Sequence, residues 1–149
     1  MKDIHGIETP LSQYNGFVAL VVNVASEWGK TAISYEQMET LQHKYGSEKF
    51  IVLAFPSNDF RQERGNNDEI DSFVEATYPN HGFPLFEKSR LRDNDVYKTL
   101  SKHPKVKGKE VRGNFFKYLV NREGIAVSLH DKKEECISFE DEIVELLRS

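Results

Sequence analysis

The stretch VVNVASEWGKT, Val21 to Thr31, reads as a buried strand running into a loop that opens toward a helix. Phe17 through Val24 is one apolar, β-branched run, of the kind buried on both faces at the centre of a sheet. The corner between such a strand and the next helix is where open α/β sheets place their functional groups. Trp28, the chain's one tryptophan, stands at that corner. An indole offers one N–H donor and no ionisable group, so this choice of residue needs an explanation.

Outward from this corner, the pattern alternates between strands and helices. SYEQMETLQHKYG reads as a helix with Ser34 and Gln37 spaced as a capping box, Met38, Leu41 and Tyr45 on one face, and Gly46 as its stop. KFIVLAFP is a second buried strand ended by Pro56, and Ser57 to Asn67 is a polar loop. NDEIDSFVEATY is then a helix with an acidic start, its Ile70, Phe73 and Val74 facing inward. This β-α-β-α order implies a parallel crossover.

FPLF, from Phe83, reads as a short strand or its approach, and DNDVYKTLSKH as a short helix entered through Asp93 or Asn94. NFFKYLV and GIAVSLH flank a turn at Asn121 to Gly124 and predict an antiparallel hairpin. Ser138 and Asp141 are spaced as a capping box for a last amphipathic helix. The expected class is α/β, a central mixed sheet flanked by helices on both faces.

The 149 residues, 38% of them apolar and including ten Phe and six Tyr, suit one domain over 1–149 that folds without staples. A formal net charge of −4 argues against general nucleic-acid binding. No apolar run approaches the roughly 20 residues of a membrane span, and MKDIHGIETP lacks the apolar core of a signal peptide. One cysteine, Cys136, excludes an intramolecular disulfide and makes a reducing, cytoplasmic setting the expectation. Five scattered histidines lack ligand spacing, so neither a metal nor a cofactor is expected.

NVASEWGKT resembles the NVASxCGxT signature of glutathione peroxidases, FPSNDF their FPCNQF, and GNFFKYLVNREG their WNFxKFLVDRxG. Lesser matches at QERGNNDEI, FPLFEK and the last helix extend the similarity over nearly the whole chain, and KDIHGIETPLSQYNG resembles part of the family's first hairpin, which leaves an upstream strand or leader open. The resemblance implies a thioredoxin-like fold. It also implies a chemistry in which a cysteine or selenocysteine attacks a peroxide O–O bond, supported by a glutamine, a tryptophan and an asparagine. By motif, those positions fall on Trp28, Asp59, Gly113 and Asn114, and three of the four carry the wrong chemistry. The resolving cysteine of thioredoxin-dependent members falls near Glu75 and is absent too.

Such chemistry needs a thiolate or selenolate, and Trp28 can form neither a sulfenic nor a selenenic intermediate. The reading is a family member without peroxidase activity that binds a protein partner or small ligand. The alternative is an active thiol or selenol peroxidase: selenocysteine is encoded by a codon that other codes read as tryptophan, and residue 28 would then not be tryptophan in the native protein. Against it, Asp59 and Gly113 would not arise from the same cause.

Asn114 reads as an amide fixing the start of a strand, now that its partners are gone. Asp59, Glu63 and Glu27 read as solvated loop carboxylates rather than a cation site. Cys136, just ahead of the last helix, is conceivable as an exposed thiol of modestly lowered pKa that pairs between molecules. Lys102, Lys105, Lys107, Lys109 and Arg112 form the strongest surface patch in the sequence, a weak contact for anionic lipid head groups or a solvated loop. The short segment between Phe86 and Asn94 favours a monomer.

Overall fold

The computed structural model describes residues 1–149. Strand β1 (Val18–Val24) runs parallel to β2 (Phe50–Pro56), joined by α1 (Thr31–Tyr45). Next come α2 (Asn67–Thr77) and α3 (Asp95–Leu100), then the hairpin of β3 (Lys117–Val120) and β4 (Ala126–His130), and last α4 (Glu140–Arg148). The sheet order is β2-β1-β3-β4, with β3 antiparallel to both of its neighbours.

All seven residues of β1 are buried, because each face of the sheet is covered. Val18, Leu20, Val22 and Val24 join a core with Tyr35, Met38 and Leu41 of α1, Ile70 and Val74 of α2, and Ile143 and Leu147 of α4. Ala19 and Val21 face the other way, into a smaller core with Tyr97 and Leu100 of α3, Phe86 and Val106. The mixed sheet with helices on both faces is therefore the architecture expected from the sequence.

Several expected elements stand where they were read. Asn94 caps α3, its Oδ1 accepting from the N–H groups of Val96 and Tyr97. Asn121 closes the β3–β4 turn by accepting from Gly124, with Gly124 at φ 81°. FPLF contributes less than a strand: Leu85 makes an isolated parallel bridge to Ala54.

The helix starts need two corrections. Helix α1 begins at Thr31, not Ser34, because Thr31 Oγ1 donates to Ala25 O at 2.8 Å and accepts from Trp28 N at 3.1 Å, closing the corner one turn earlier. Gly46 stands directly after the last residue of α1, as read, but it keeps helical dihedrals and opens a short 3-10 turn, and the left-handed turn falls on Lys49 at φ 64°. Ser138 does not cap α4; it sits inside a 3-10 turn, Cys136–Phe139, and its hydroxyl donates to Glu135 O at 2.6 Å.

Candidate functional site

Three loops meet at the C-terminal ends of β1 and β2. The first is the corner from Ala25 to Lys30, the second the loop after β2, and the third Gly113 to Phe116 ahead of β3. Glu27 N donates to Gln62 O at 2.9 Å and Ser26 N to Glu63 Oε1 at 3.0 Å, tying the first loop to the second. The third is held by Asn23, a buried amide in an otherwise apolar strand. Its Nδ2 donates to Gly113 O at 2.8 Å, its Oδ1 accepts from Phe116 N at 3.0 Å, and its own carbonyl accepts from Phe115 N at 2.8 Å.

This clamp lets Phe115 take a left-handed φ of 56° while fully buried, a conformation rare for an aromatic residue. The half-buried indole of Trp28 stacks on the Phe115 ring, with centroids 5.3 Å apart and planes 19° apart. Tyr35 meets the same ring edge-on at 6.0 Å. Trp28 is thus built into the core that supports the corner, as a large aromatic anchor.

Of the other residues singled out in the sequence, Asn114 and Gly113 lie at this meeting point and Asp59 does not. Asn114 Nδ2 donates to Gln62 Oε1 at 2.6 Å. It therefore pairs with a neighbouring amide instead of fixing the start of β3, which is the work of Asn23. Asp59 is exposed, and its Oδ2 accepts from Leu91 N at 3.0 Å, on the far side of a turn. That turn runs from Asn58, whose carbonyl accepts from Arg61 N, through Arg61 at φ 63°. It directs Asp59 outward and Gln62 inward.

The amide that stands beside Asn114 is therefore Gln62, while Asp59, where the motif places the family's glutamine, faces Leu91. A Cβ added to Gly113 would meet the stem of Lys132 at 3.3 Å and the ring of Phe116 at 3.5 Å. A flexible lysine thus lies beside the position where the resemblance implies an aromatic wall.

Glu63, read as a solvated loop carboxylate, is 1% exposed. Burial pushes its carboxyl up from the usual 4.5 to about 7. Asp59 lines a different cleft, with Asn66 and Lys88, so it does not join Glu27 and Glu63. No group of three metal-ligating side chains is positioned to hold an ion.

Cys136 is buried, not exposed, and burial pushes its thiol up to about 11, the reverse of an activated cysteine. Lys117, also buried, spends its ammonium on the carbonyls of Asp131 and Glu134 at 3.1 and 2.6 Å. Lys102, Lys105, Lys107, Lys109 and Arg112 are all exposed on the turn that follows α3, anchored by buried Val106. Among these five, Arg112 has an ion pair, to Glu110, two residues away. No helix is long and apolar enough to cross a membrane.

Comparison with known proteins agrees with this architecture. The family model for glutathione peroxidase matches residues 1–101. A probable glutathione peroxidase 5 of Arabidopsis thaliana is 38% identical, over 99% of this chain and 87% of that protein. A probable phospholipid hydroperoxide glutathione peroxidase of Helianthus annuus is 38% identical over 98% and 83%. Among solved structures, that of Trgpx in apo form has a TM-score of 0.75 at 29% identity, covering 99% of this chain and 92% of that one. A thioredoxin-type solution structure from Neisseria meningitidis, at 15% identity and a TM-score of 0.72 over 100% and 87%, shares the fold alone. With its ordered motifs, its mixed sheet and these relatives, the chain belongs to the glutathione peroxidase family and has a thioredoxin-like fold.

Proposed function

We propose that this member of the glutathione peroxidase family does not reduce peroxides and acts instead as a binding protein, with the corner around Trp28 as its contact surface. The observation that carries this reading is the Trp28–Phe115 stack: an unreactive ring occupies the position where the resemblance calls for a thiolate. Peroxide reduction needs a nucleophile that can be oxidised and then reduced. The one thiol in the chain is buried at the start of a 3-10 turn, and Glu75, exposed on α2, stands near the place of a resolving cysteine.

The Gln62–Asn114 pair has no reacting atom beside it and holds two loops together. The corner then presents a half-buried aromatic ring ringed by polar groups, the composition of an anchor for a protein partner or small ligand. The exposed cationic turn from Lys102 to Arg112 leads directly into Gly113 and is suited to a weak contact with anionic head groups. We read the protein as a cytoplasmic monomer.

The test is consumption of hydrogen peroxide, cumene hydroperoxide and a phospholipid hydroperoxide with glutathione or thioredoxin as reductant. The chain is expected to match the rate without protein. Trp28→Cys is expected to react once with peroxide and to gain no thioredoxin-linked turnover, because no second thiol stands on α2. Turnover by the unaltered chain overturns the reading, as does a mass for the native peptide Glu27 to Lys30 that shows cysteine or selenocysteine at position 28.

A further inference from the structure

A cavity of about 500 Å³ opens between the Trp28 corner, the loop after β2 and the first turns of α2. Ser26 and Glu27 enter it from the corner, Glu63 and Arg64 from the loop, and Ile70 and Phe73 from α2. Two of its polar groups have only each other. Glu63 Oε2 and Ser26 Oγ are buried side by side, and neither has a hydrogen-bond partner from outside the pair.

Native proteins rarely leave buried acceptors unpaired, and each such atom marks a place where a donor is missing. The nearby cations do not supply it. Arg64 lies in the cavity, but its guanidinium takes Glu27 through Nε and Nη2, both at 2.8 Å, and its side chain is 75% exposed. Lys88 donates to Gly65 O at 2.7 Å. The positive end of α2 is already offset, because Glu69 is bound into a capping box with Asn66.

We propose that this cavity is a binding site for a primary alkylammonium group, whose head rests between Glu63 Oε2 and Ser26 Oγ and whose carbon chain lies along Ile70 and Phe73. The donor geometry selects the ammonium. Glu63 Oε1 is occupied by Ser26 N, so the carboxylate has no free fork for a guanidinium, whereas a compact head with three rotatable donors suits one carboxylate oxygen and one hydroxyl. A hard metal ion would want about six oxygen ligands, more than this lining offers.

Charge at Glu63 couples this site to pH. The groups that face it are Glu27 from the corner, Arg64 from its own loop, Lys88 from the segment beyond α2, Tyr35 of α1 and Glu69 of α2. Burial dominates in raising its carboxyl, the Ser26 hydroxyl and N–H and the charge of Lys88 lower it, and Glu27 raises it further. Below about pH 7 Glu63 is protonated. An ammonium must then displace that proton, and affinity falls by about tenfold for each pH unit on the acid side.

The test is calorimetric titration of the whole chain at pH 6 and pH 8 with n-butylammonium, spermidine and an Nα-acetyl-lysine methylamide. Saturable binding is expected that tightens at pH 8 and releases a proton at pH 6, seen as a dependence on the buffer's ionisation enthalpy. Glu63→Gln and Ser26→Ala are each expected to weaken it, Glu63→Gln by at least about tenfold. Arg64→Gln is expected to tighten it by removing a positive charge from the cavity and freeing the Glu27 carboxylate.

Tighter binding of the lysine derivative supports a partner protein's side chain as the source, and tighter binding of spermidine supports a free amine. No saturable binding by any of the three overturns the proposal. So does equal binding by a folded Glu63→Gln chain, or by n-butanol or the Nζ-acetylated lysine. The biological use of this site rests on the binding reading above, but the outcomes are separable. Peroxide turnover would sink that reading and leave amine affinity as measured.

Discussion

Trp28 and Phe115, 87 positions apart in the chain, lie ring on ring at 5.3 Å, and Phe115 adopts a left-handed backbone to make the contact. The stack joins the corner after β1 to the loop before β3. Trp28→Ala is expected to lower unfolding stability by about 2 kcal/mol, since half-buried aromatic area and one aromatic pair are lost together. Trp28→Phe should lose less than half of that. Urea denaturation of both variants checks it, and equal stability of all three chains would show that the stack contributes nothing.

Glu63 makes stability depend on pH. Its carboxyl is held at about 7 in the folded chain, against 4.5 ordinarily. Between those values the folded state binds a proton that the unfolded state releases, so stability falls as pH rises from about 4.5 to about 7 and then levels off. Glu63→Gln removes this dependence. The variant's advantage over the parent should grow from near zero at pH 4.5 toward roughly 3 kcal/mol at pH 8. Urea midpoints that differ by the same amount at both ends would contradict this.

Cys136 should be inert while the protein is folded. A thiol that is 1% exposed and held at about 11 has almost no thiolate near neutrality. Ellman's reagent at pH 8 is expected to titrate no thiol in the native protein and one after unfolding in guanidinium chloride. Rapid native-state labelling would restore the exposed-thiol reading.

The turn from Lys102 to Arg112 should bind acidic vesicles weakly and lose them in salt. Five exposed cations on a short segment respond to ionic strength over about 10 Å at 0.1 M. Flotation with phosphatidylserine vesicles is expected to retain the chain at 20 mM salt and release it at 300 mM. The pair Lys105→Glu and Lys107→Glu should abolish retention without changing the melting temperature. Retention that salt does not weaken would rule out this surface.

The strands and the order of elements were legible because they rest on local patterns: a continuous β-branched run for β1, an amphipathic spacing for α2, a glycine turn for the hairpin. The helix starts were less so. Ser34 and Ser138 have the right spacing for caps, but a tertiary bond from Thr31 back to Ala25 and a 3-10 turn at Cys136 moved the ends. At the site, Trp28, Gly113 and Asn114 were found by motif. Gln62 was not, because Asp59 and Gln62 share a loop without periodicity, and a left-handed Arg61 decides which of them turns inward. Glu63 was read as a solvated carboxylate because nothing in its neighbours' sequence marks it as buried.

Asn23 holds the loop before β3 through main-chain atoms alone: a carbonyl at Gly113, N–H groups at Phe115 and Phe116. These three bonds use none of the loop's own side chains, so they persist whichever residues stand at 113 and 114, beside the contacts that the Phe115 ring and the Asn114 amide add. A lineage can exchange the residues at 113 and 114 without having to rebuild the scaffold that presents them. The chain can shed one chemistry and try another at this position while folding the same way, and that separates the history of the site from the history of the fold.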